Sequence, residues 1–421
     1  MADVHLGFRQ YGLAERAADF CRAFDSAIDY CLTEKPGFVV IAGDLFDAKS
    51  IDPQTYAQAD AALQRLSQAN IPVVANEGNH ERWFRRGDHS WLWQLSRHGR
   101  LRLLRQFDPI TGKPHAGEWT AERGFGAYTD IGSARIFGVE YLGARLPAHI
   151  DEIAASLSRI PSPDVRAVIG IMHTGIDEAF EYGSSGLSLE QLQPLESLTN
   201  YLALGHLHYA YQLPNDAPWI FNPGALEAHT ILEGLTPNLV EGQTRERGIF
   251  DVRIHPGKPV SIEAVFRSDV IVRRSFQRLT VDVTEFSSFE LLATAVKQSA
   301  KEQIGSSDEP AVIELRLTGQ LKFDRVQLDQ DALQEIVADI HKALHVRVTK
   351  HFNSSTSDIS LTDATATRQE MERAVVHRLI AASPHAAQGD TLAKATLSLK
   401  AAALEGRSPE DMASQLEQLL T

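Results

Sequence analysis

The chain has 421 residues, 43% of them hydrophobic and 23% charged, which is the composition of an ordinary globular protein of two or three domains and excludes a disordered or fibrous one. Its longest charge-poor apolar run, Phe38 to Gly43, is far short of the roughly 20 residues that cross a bilayer, so no membrane-spanning helix is expected. A formal net charge of −14 argues against a wholesale polycationic binder; contact with nucleic acid must come from a local patch or a partner. The opening Met-Ala-Asp-Val-His has neither a basic nor an apolar signal region, so a cytoplasmic location is expected. Cys21 and Cys31 fall ten residues apart on one predicted helix, which suits neither a disulfide nor a thiolate metal site.

From about residue 15 to 270 short apolar strands alternate with helical stretches. The clearest strands are 38–42, 71–75, 135–139, 167–172 and 201–204, and the helical patterns 15–33, 53–69 and 145–158 would cover them. Near-continuous apolar strands imply burial on both faces, hence a layered α/β domain, assigned to residues 1–272. A small α+β domain follows over 273–352, with strands 275–283, 311–317 and 346–352 and helices 286–303 and 328–343. A polar stretch, 353–367, reads as a linker. The C-terminal region, 368–421, reads as helical over 368–382, 390–405 and 409–420, with Gly406 as a stop signal and Ser408-Pro409 as a start.

Five segments place Asp, Asn or His beside a strand end: Asp3-Val4-His5, Gly43-Asp44-Leu45-Phe46-Asp47, Gly78-Asn79-His80-Glu81, His173-Thr174-Gly175 and Gly205-His206-Leu207-His208. Side chains just beyond the carboxyl ends of neighbouring strands converge on one crevice. Oxygen and imidazole donors without thiolates suit Mn²⁺, Fe²⁺ or Zn²⁺. Asp3, His5, Asp44, Asn79, His173, His206 and His208 offer seven donors, more than one ion uses, so two ions are expected with Asp44 able to bridge them. Such a pair clamps the attacking and leaving oxygens of an in-line displacement at phosphorus. His80, next to a donor on extended backbone, is the expected group to stabilise or protonate the leaving oxygen. Glycines 43, 78 and 205 let the backbone turn sharply there. Each motif alone is weak; the ordered set is not.

This ordered set resembles the calcineurin-like metallophosphoesterases. More narrowly, Asp3-Val4-His5-Leu6-Gly7 with Arg9-Gln10-Tyr11-Gly12, and the later Asn222-Pro223-Gly224-Ala225-Leu226-Glu227, resemble the DNA repair exonuclease branch of SbcD-like nuclease subunits. The resemblance implies a metallophosphoesterase sandwich, a capping domain in 273–352, and a helical tail that docks on an SMC-like ATPase. It further implies one ion on Asp3, His5, Asp44 and His208, a second on Asp44, Asn79, His173 and His206, Mn²⁺ as the usual activator, His80 as the catalytic histidine, DNA as substrate, and a homodimer.

Two features depart from the family pattern. Asp47 stands where a histidine is frequent; it is expected to orient a ligand histidine or to cap a turn. The family also has an apolar strand directly before Asp-X-His, and here the chain begins two residues before Asp3. That strand is expected to lie upstream of Met1, and without it Asp3 and His5 are expected on a fraying terminus with weak binding of the first ion.

Between Glu81 and Gln106 seven arginines, including Arg82, Arg85 and Arg86, give a local excess of five positive charges beside Trp83, Phe84, Trp91 and Trp93. Arginines among aromatics are expected to hold a phosphate backbone and stack on bases; the competing reading is a solvated helix face. His89, His98 and His229 are set aside as lone histidines. The leading expectation is a Mn²⁺-dependent DNA nuclease working with an ATPase partner. The alternatives are a metallophosphoesterase for a small phosphodiester or phosphoprotein, and a catalytically weak adaptor subunit.

Overall fold

The structure, a computed structural model, describes residues 1–82, 89–161, 164–179, 186–235, 246–255, 257, 260–305, 309–354, 376, 380, 389–404 and 411–413. Contacts divide the chain into two compact units, one of Met1–Leu279, Lys297–Leu315 and Gln334–Val348 and the other of Thr280–Val296, Arg316–Leu333 and Thr349–Thr421.

The first unit is layered. Strands β1 (Val39–Ala42), β2 (Val73–Asn76) and β3 (Arg102–Leu103) form a parallel sheet in that order. Strands β4 (Tyr128–Ile131), β5 (Ala134–Val139), β6 (Ala167–His173), β7 (Tyr201–Gly205), β8 (Ala210–Leu213) and β9 (Ile220–Pro223) form a six-stranded sheet in the order β4-β5-β6-β7-β9-β8. Its centre, β5 to β9, is parallel, and its two edge pairs are antiparallel. The five strands expected from the sequence are all present, each within two residues of its predicted ends.

Three apolar layers hold these sheets. Between them lie Ala42, Val74, Leu104, Ile136, Ile169, Ile171 and Phe221. Helices α1 (Ala14–Glu34) and α2 (Pro53–Gln68) cover the outer face of the three-stranded sheet through Phe24, Ile28, Leu63 and Leu66. Helix α3 (Trp91–Arg97) adds Leu92 and Leu95 to that layer. Helices α4 (Ile150–Ser158) and α5 (Leu189–Glu196) cover the other sheet through Ile150, Ile153, Leu192 and Leu195. The buried residues of α1 recur at three and four residue intervals, Phe20, Ala23, Phe24, Ala27, Ile28 and Cys31, as one helix face requires. Two other helix starts are marked chemically: Asp52 caps α2 by accepting from Thr55 N at 2.7 Å ahead of Pro53, and Ser188 with Gln191 forms a capping box on α5. Cys21 and Cys31 both lie on α1 as free thiols.

The first residues are fixed, contrary to the expectation of a fraying terminus. Backbone bonds run from Asp3 N to Gly43 O, Val4 N and His5 N to Asp44 O, and Leu6 N to Leu45 O, all between 2.9 and 3.2 Å. Ala2 through Leu6 are fully buried. The physical reason is that this segment runs alongside the loop leaving β1, whose amides and carbonyls supply the missing partners. Met1 begins to pair the edge of β1 away from β2, accepting from Ala42 N at 2.9 Å. Farther along that edge is a cavity of about 530 Å³ lined by groups including Phe38, Val40, Ile169, Tyr201, Phe221 and Val252.

Strands β10 (Ile249–His255) and β11 (Ser261–Arg267) make an antiparallel hairpin. Then β12 (Phe276–Asp282), α7 (Phe289–Gln303), β13 (Val312–Leu321), α8 (Gln330–His341) and β14 (His345–Ser354) follow, with the strands in one sheet ordered β12-β13-β14. These match the elements expected over 273–352. Of the tail, helix α9 (Gly389–Leu404) is described; most of the 353–367 linker and of the 368–382 and 409–420 helices lies outside the described residues. Among the described residues no helix is long and apolar enough to cross a membrane.

Candidate metal centre

The carboxyl ends of β1, β2, β6 and β7 deliver four of the five motifs, and the N-terminal segment delivers the fifth. Close approach demands glycine at two joints: a Cβ on Gly43 would strike the His173 ring, and one on Gly78 would strike the Asp44 carboxylate and its backbone amide. Asp3, His5, Asp44 and His206 have left-handed backbone, with φ of 51°, 51°, 50° and 104°. The Gly205–His208 loop is held from below by Asn222, whose side-chain amide donates to Leu207 O at 2.7 Å and Tyr209 O at 2.8 Å.

The structure brings all seven expected donors together. His173 Nε2 is 3.1 Å from Asp44 Oδ2, 3.1 Å from Asn79 Oδ1 and 3.9 Å from Asp3 Oδ1. His206 Nδ1 is 3.0 Å from the same Asn79 oxygen, and its backbone amide donates to both Asp3 oxygens at 3.0 Å. His5 Nε2 is 3.8 Å from Asp44 Oδ2, and the His5 and His208 rings are 5.2 Å apart. Asp3, His5, Asp44 and His173 are buried.

Behind these donors stand groups that orient them. His173 Nδ1 donates to Ala42 O at 2.9 Å, which turns Nε2 towards the carboxylates. Asp47 lies against the His5 ring, with Oδ1 at 3.2 Å from Nδ1, and its own carbonyl accepts from His80 Nδ1 at 2.6 Å. The remaining nitrogen of His80, Nε2, is therefore free for a proton-transfer partner, and the side chain is 40% exposed.

Three acidic or imidazole groups at the crevice had no role assigned from the sequence. Glu81, buried, accepts from Phe46 N at 2.8 Å and Gly78 N at 3.1 Å and so ties the second motif to the third. Glu233, from α6 (Ile231–Leu235), lies 3.5 Å from His208 Nδ1. His229 corrects an expectation: it is no isolated histidine, since its ring centroid is 4.1 Å from that of His5 and 4.5 Å from that of His208. The only sequence signal for His229 and Glu233 was their place after the Asn222–Glu227 motif.

Burial and charge set the protonation of this cluster. For Asp44 burial alone would raise the pKa, and the neighbouring His173, His5 and His80 overrule it and hold the carboxyl far below its usual range. Burial likewise opposes charge on His173, but Asp44 and Asp3 push it up to about 9. Burial and the His173 charge bring His206 down to about 4, and burial raises Glu81 to about 8.

The donor set fits divalent cations on an observation independent of motif order. Both ring nitrogens of His5 are buried without a hydrogen bond, although Asp47 is close, and an unsatisfied buried imidazole is a large cost unless something coordinates it. Asp3, Asp44 and His173, and separately His5, Asp44 and His80, each converge three donor atoms within 4.8 Å of one another.

The arginine run behaves differently from expectation. Arg82 is buried, 3.8 Å from Glu140, and Arg105 is buried 3.2 Å from Glu77. Arg100 pairs with Asp60 at 2.6 Å, and Arg102 donates to Thr129 at 2.7 Å. These four neutralise carboxylates or satisfy hydroxyls inside the fold, so Arg82 presents no exposed phosphate contact. Arg85 and Arg86, with Trp83 and Phe84, lie outside the described residues.

Comparison with known proteins agrees with this geometry. A model of the calcineurin-like phosphoesterase family matches residues 1–210. The DNA double-strand break repair protein Mre11 of Archaeoglobus fulgidus is 27% identical over 355 residues, covering 81% of this chain and 75% of that protein. Proteins of the same name from Aeropyrum pernix and Saccharolobus solfataricus are 28% and 26% identical, covering 56% and 51% of this chain and 55% and 50% of theirs. This chain thus spans three quarters of the first relative and about half of the other two. With a crevice of imidazole and carboxylate donors at the strand ends of a layered α/β sandwich, the chain belongs to the calcineurin-like phosphoesterases.

Proposed function

We propose that this chain is a cytoplasmic, Mn²⁺-dependent DNA nuclease that hydrolyses phosphodiesters at a two-metal site and acts in DNA repair or end processing with an SMC-like ATPase. The observation that carries this is the convergence of seven oxygen and imidazole donors on one crevice. The name shared by the relatives, a DNA double-strand break repair protein, supports DNA as the substrate.

Asp3, His5, Asp44 and His208 would hold one ion, and Asp44, Asn79, His173 and His206 the other. Two divalent ions supply positive charge that polarises a phosphodiester and acidifies water. The protein's own part is positioning and proton transfer. The Ala42 carbonyl fixes the tautomer of His173, and Asp47 braces His5. His80, its Nδ1–H held by the Asp47 carbonyl, would act as the imidazolium, giving its Nε2 proton to the leaving oxygen and being left as the neutral Nδ1–H ring. Residues 1–272 serve as the nuclease domain, 273–352 as a capping domain and 353–367 as a linker. Residues 368–421 dock on the ATPase, the chain works as a homodimer, and Arg85 and Arg86 contact phosphates.

The test is degradation of end-labelled single- and double-stranded DNA with Mn²⁺, with EDTA and His80→Ala as controls. Cleavage that needs both the ion and His80 is expected. Failure to cut DNA with retained hydrolysis of a generic phosphodiester would replace DNA by a small-molecule substrate.

A further inference from the structure

Every donor assigned above comes from one of the five motifs. His229 does not: it follows β9 on the segment that leads into α6, and its ring enters the same crevice from the side of His5 and His208. Its side chain is 11% exposed, and the Phe8 ring stacks on it at 4.5 Å while Phe20 meets it edge-on at 4.9 Å. Neither ring nitrogen of His229 makes a hydrogen bond. An imidazole placed among two phenyl rings and two other imidazoles, with both nitrogens unsatisfied, is a costly arrangement unless a cation draws on those nitrogens. One ring nitrogen from each of His5, His208 and His229 lies within 4.8 Å of the other two.

We propose that His229 is a third imidazole ligand of the ion held by His5 and His208. This rests on the two-metal reading above. The surroundings are built as ligand support is built. Gln10 Nε2 donates to the His229 carbonyl at 2.6 Å, and the His229 amide donates to Glu233 Oε2 at 2.8 Å. That same Glu233 carboxylate lies 3.5 Å from His208 Nδ1, so one residue sets the position of two of the three rings. Asp47 Oδ1 faces the other pair, 3.2 Å from His5 Nδ1 and 3.9 Å from His229 Nε2. A carboxylate oxygen thus lies within 3.2 to 3.9 Å of one nitrogen of each ring, and an ion on the opposite nitrogen would let that carboxylate orient the ligand from behind. A position with three imidazoles selects Mn²⁺, Fe²⁺, Co²⁺ or Zn²⁺ over Mg²⁺, which prefers oxygen.

The test is isothermal titration of the metal-free full chain with Mn²⁺ in excess Mg²⁺, comparing the unaltered protein with His229→Phe, His229→Gln and His229→Asp. Phenylalanine matches the ring shape and adds to the contacts with Phe8 and Phe20, so it removes the donor while keeping the packing; glutamine keeps a polar group, and aspartate keeps a ligand. The unaltered protein should bind two ions per chain. His229→Phe and His229→Gln should bind one of them about 10- to 100-fold more weakly and leave the other unchanged, with aspartate recovering part of the loss. Thermal melting of the metal-free variants separates this from unfolding. Two ions bound with unaltered affinity by either folded Phe or Gln variant would overturn the role of His229 alone. An unaltered protein that binds no Mn²⁺ would overturn the two-metal reading itself.

Discussion

Asp44 Oδ2 lies 3.1 Å from His173 Nε2, and the Asp44 Oδ1 of the same carboxylate accepts from the His80 amide at 3.0 Å. One side chain therefore ties the end of β1 to the end of β6 and to the third motif. Asp44→Asn keeps an oxygen for the His80 amide and a residue type that tolerates left-handed backbone, and removes only the charge. Hydrolysis should fall by at least about 100-fold with the fold intact, as read by phosphodiester turnover alongside circular dichroism.

In the proposed two-metal site His80 would transfer a proton rather than hold an ion, although its ring reaches the donor atoms of His5 and Asp44. His80→Gln should lower kcat by about 10²- to 10⁴-fold while leaving the number and affinity of bound Mn²⁺ unchanged. A parallel fall in metal binding would move His80 from proton transfer to ligation.

Arg16 is fully buried and spans two parts of the fold. It pairs with Asp19 at 2.5 Å and Glu227 at 3.3 Å, donates to Gln10 at 2.8 Å and reaches the Ala228 carbonyl at 2.9 Å. Asp19 is shared with Arg22 and Arg274. Replacing Arg16 by Met leaves Glu227 buried without this partner and should destabilise the protein by about 3–5 kcal/mol in urea denaturation. The apo protein should show this loss, because the network precedes any ion.

His115 offers a pH probe remote from the crevice. Burial, with Arg123 and Arg105 nearby, brings its pKa down to about 4. The folded state thus prefers neutral imidazole, the unfolded state takes up a proton near pH 6.5, and stability present above that value is lost as pH falls towards 4. His115→Phe, which keeps the edge contact with Phe125, should remove about 1–2 kcal/mol of this acid sensitivity, the figure being reduced for partial exposure. Urea midpoints at pH 7 and pH 4.5 for both proteins measure it.

The sequence made the strand ends legible because each motif follows its apolar strand directly, and the parallel sheets do the rest. His229 and Glu233 were illegible for the opposite reason. They sit 21 and 25 residues beyond His208, and only the path of β8, β9 and the following turn brings them back to it. The arginine run misled in the same way. Counting charges between 81 and 106 cannot reveal that Arg82 and Arg105 meet Glu140, which arrives on the strand end after β5. The hairpin β10–β11, with charged and apolar residues alternating, was less evident than the buried strands since only one of its faces is apolar.

Four residues of the crevice, Asp3, His5, Asp44 and His206, hold left-handed backbone, a conformation that costs non-glycine residues about 1–2 kcal/mol each. The metal-free chain bears this strain unaided, and a bound ion offsets it by mass action, so the share of unfolded chain rises as free metal falls. In a cell, where proteases remove the unfolded fraction, metal supply would govern how long this protein lasts as well as what it does.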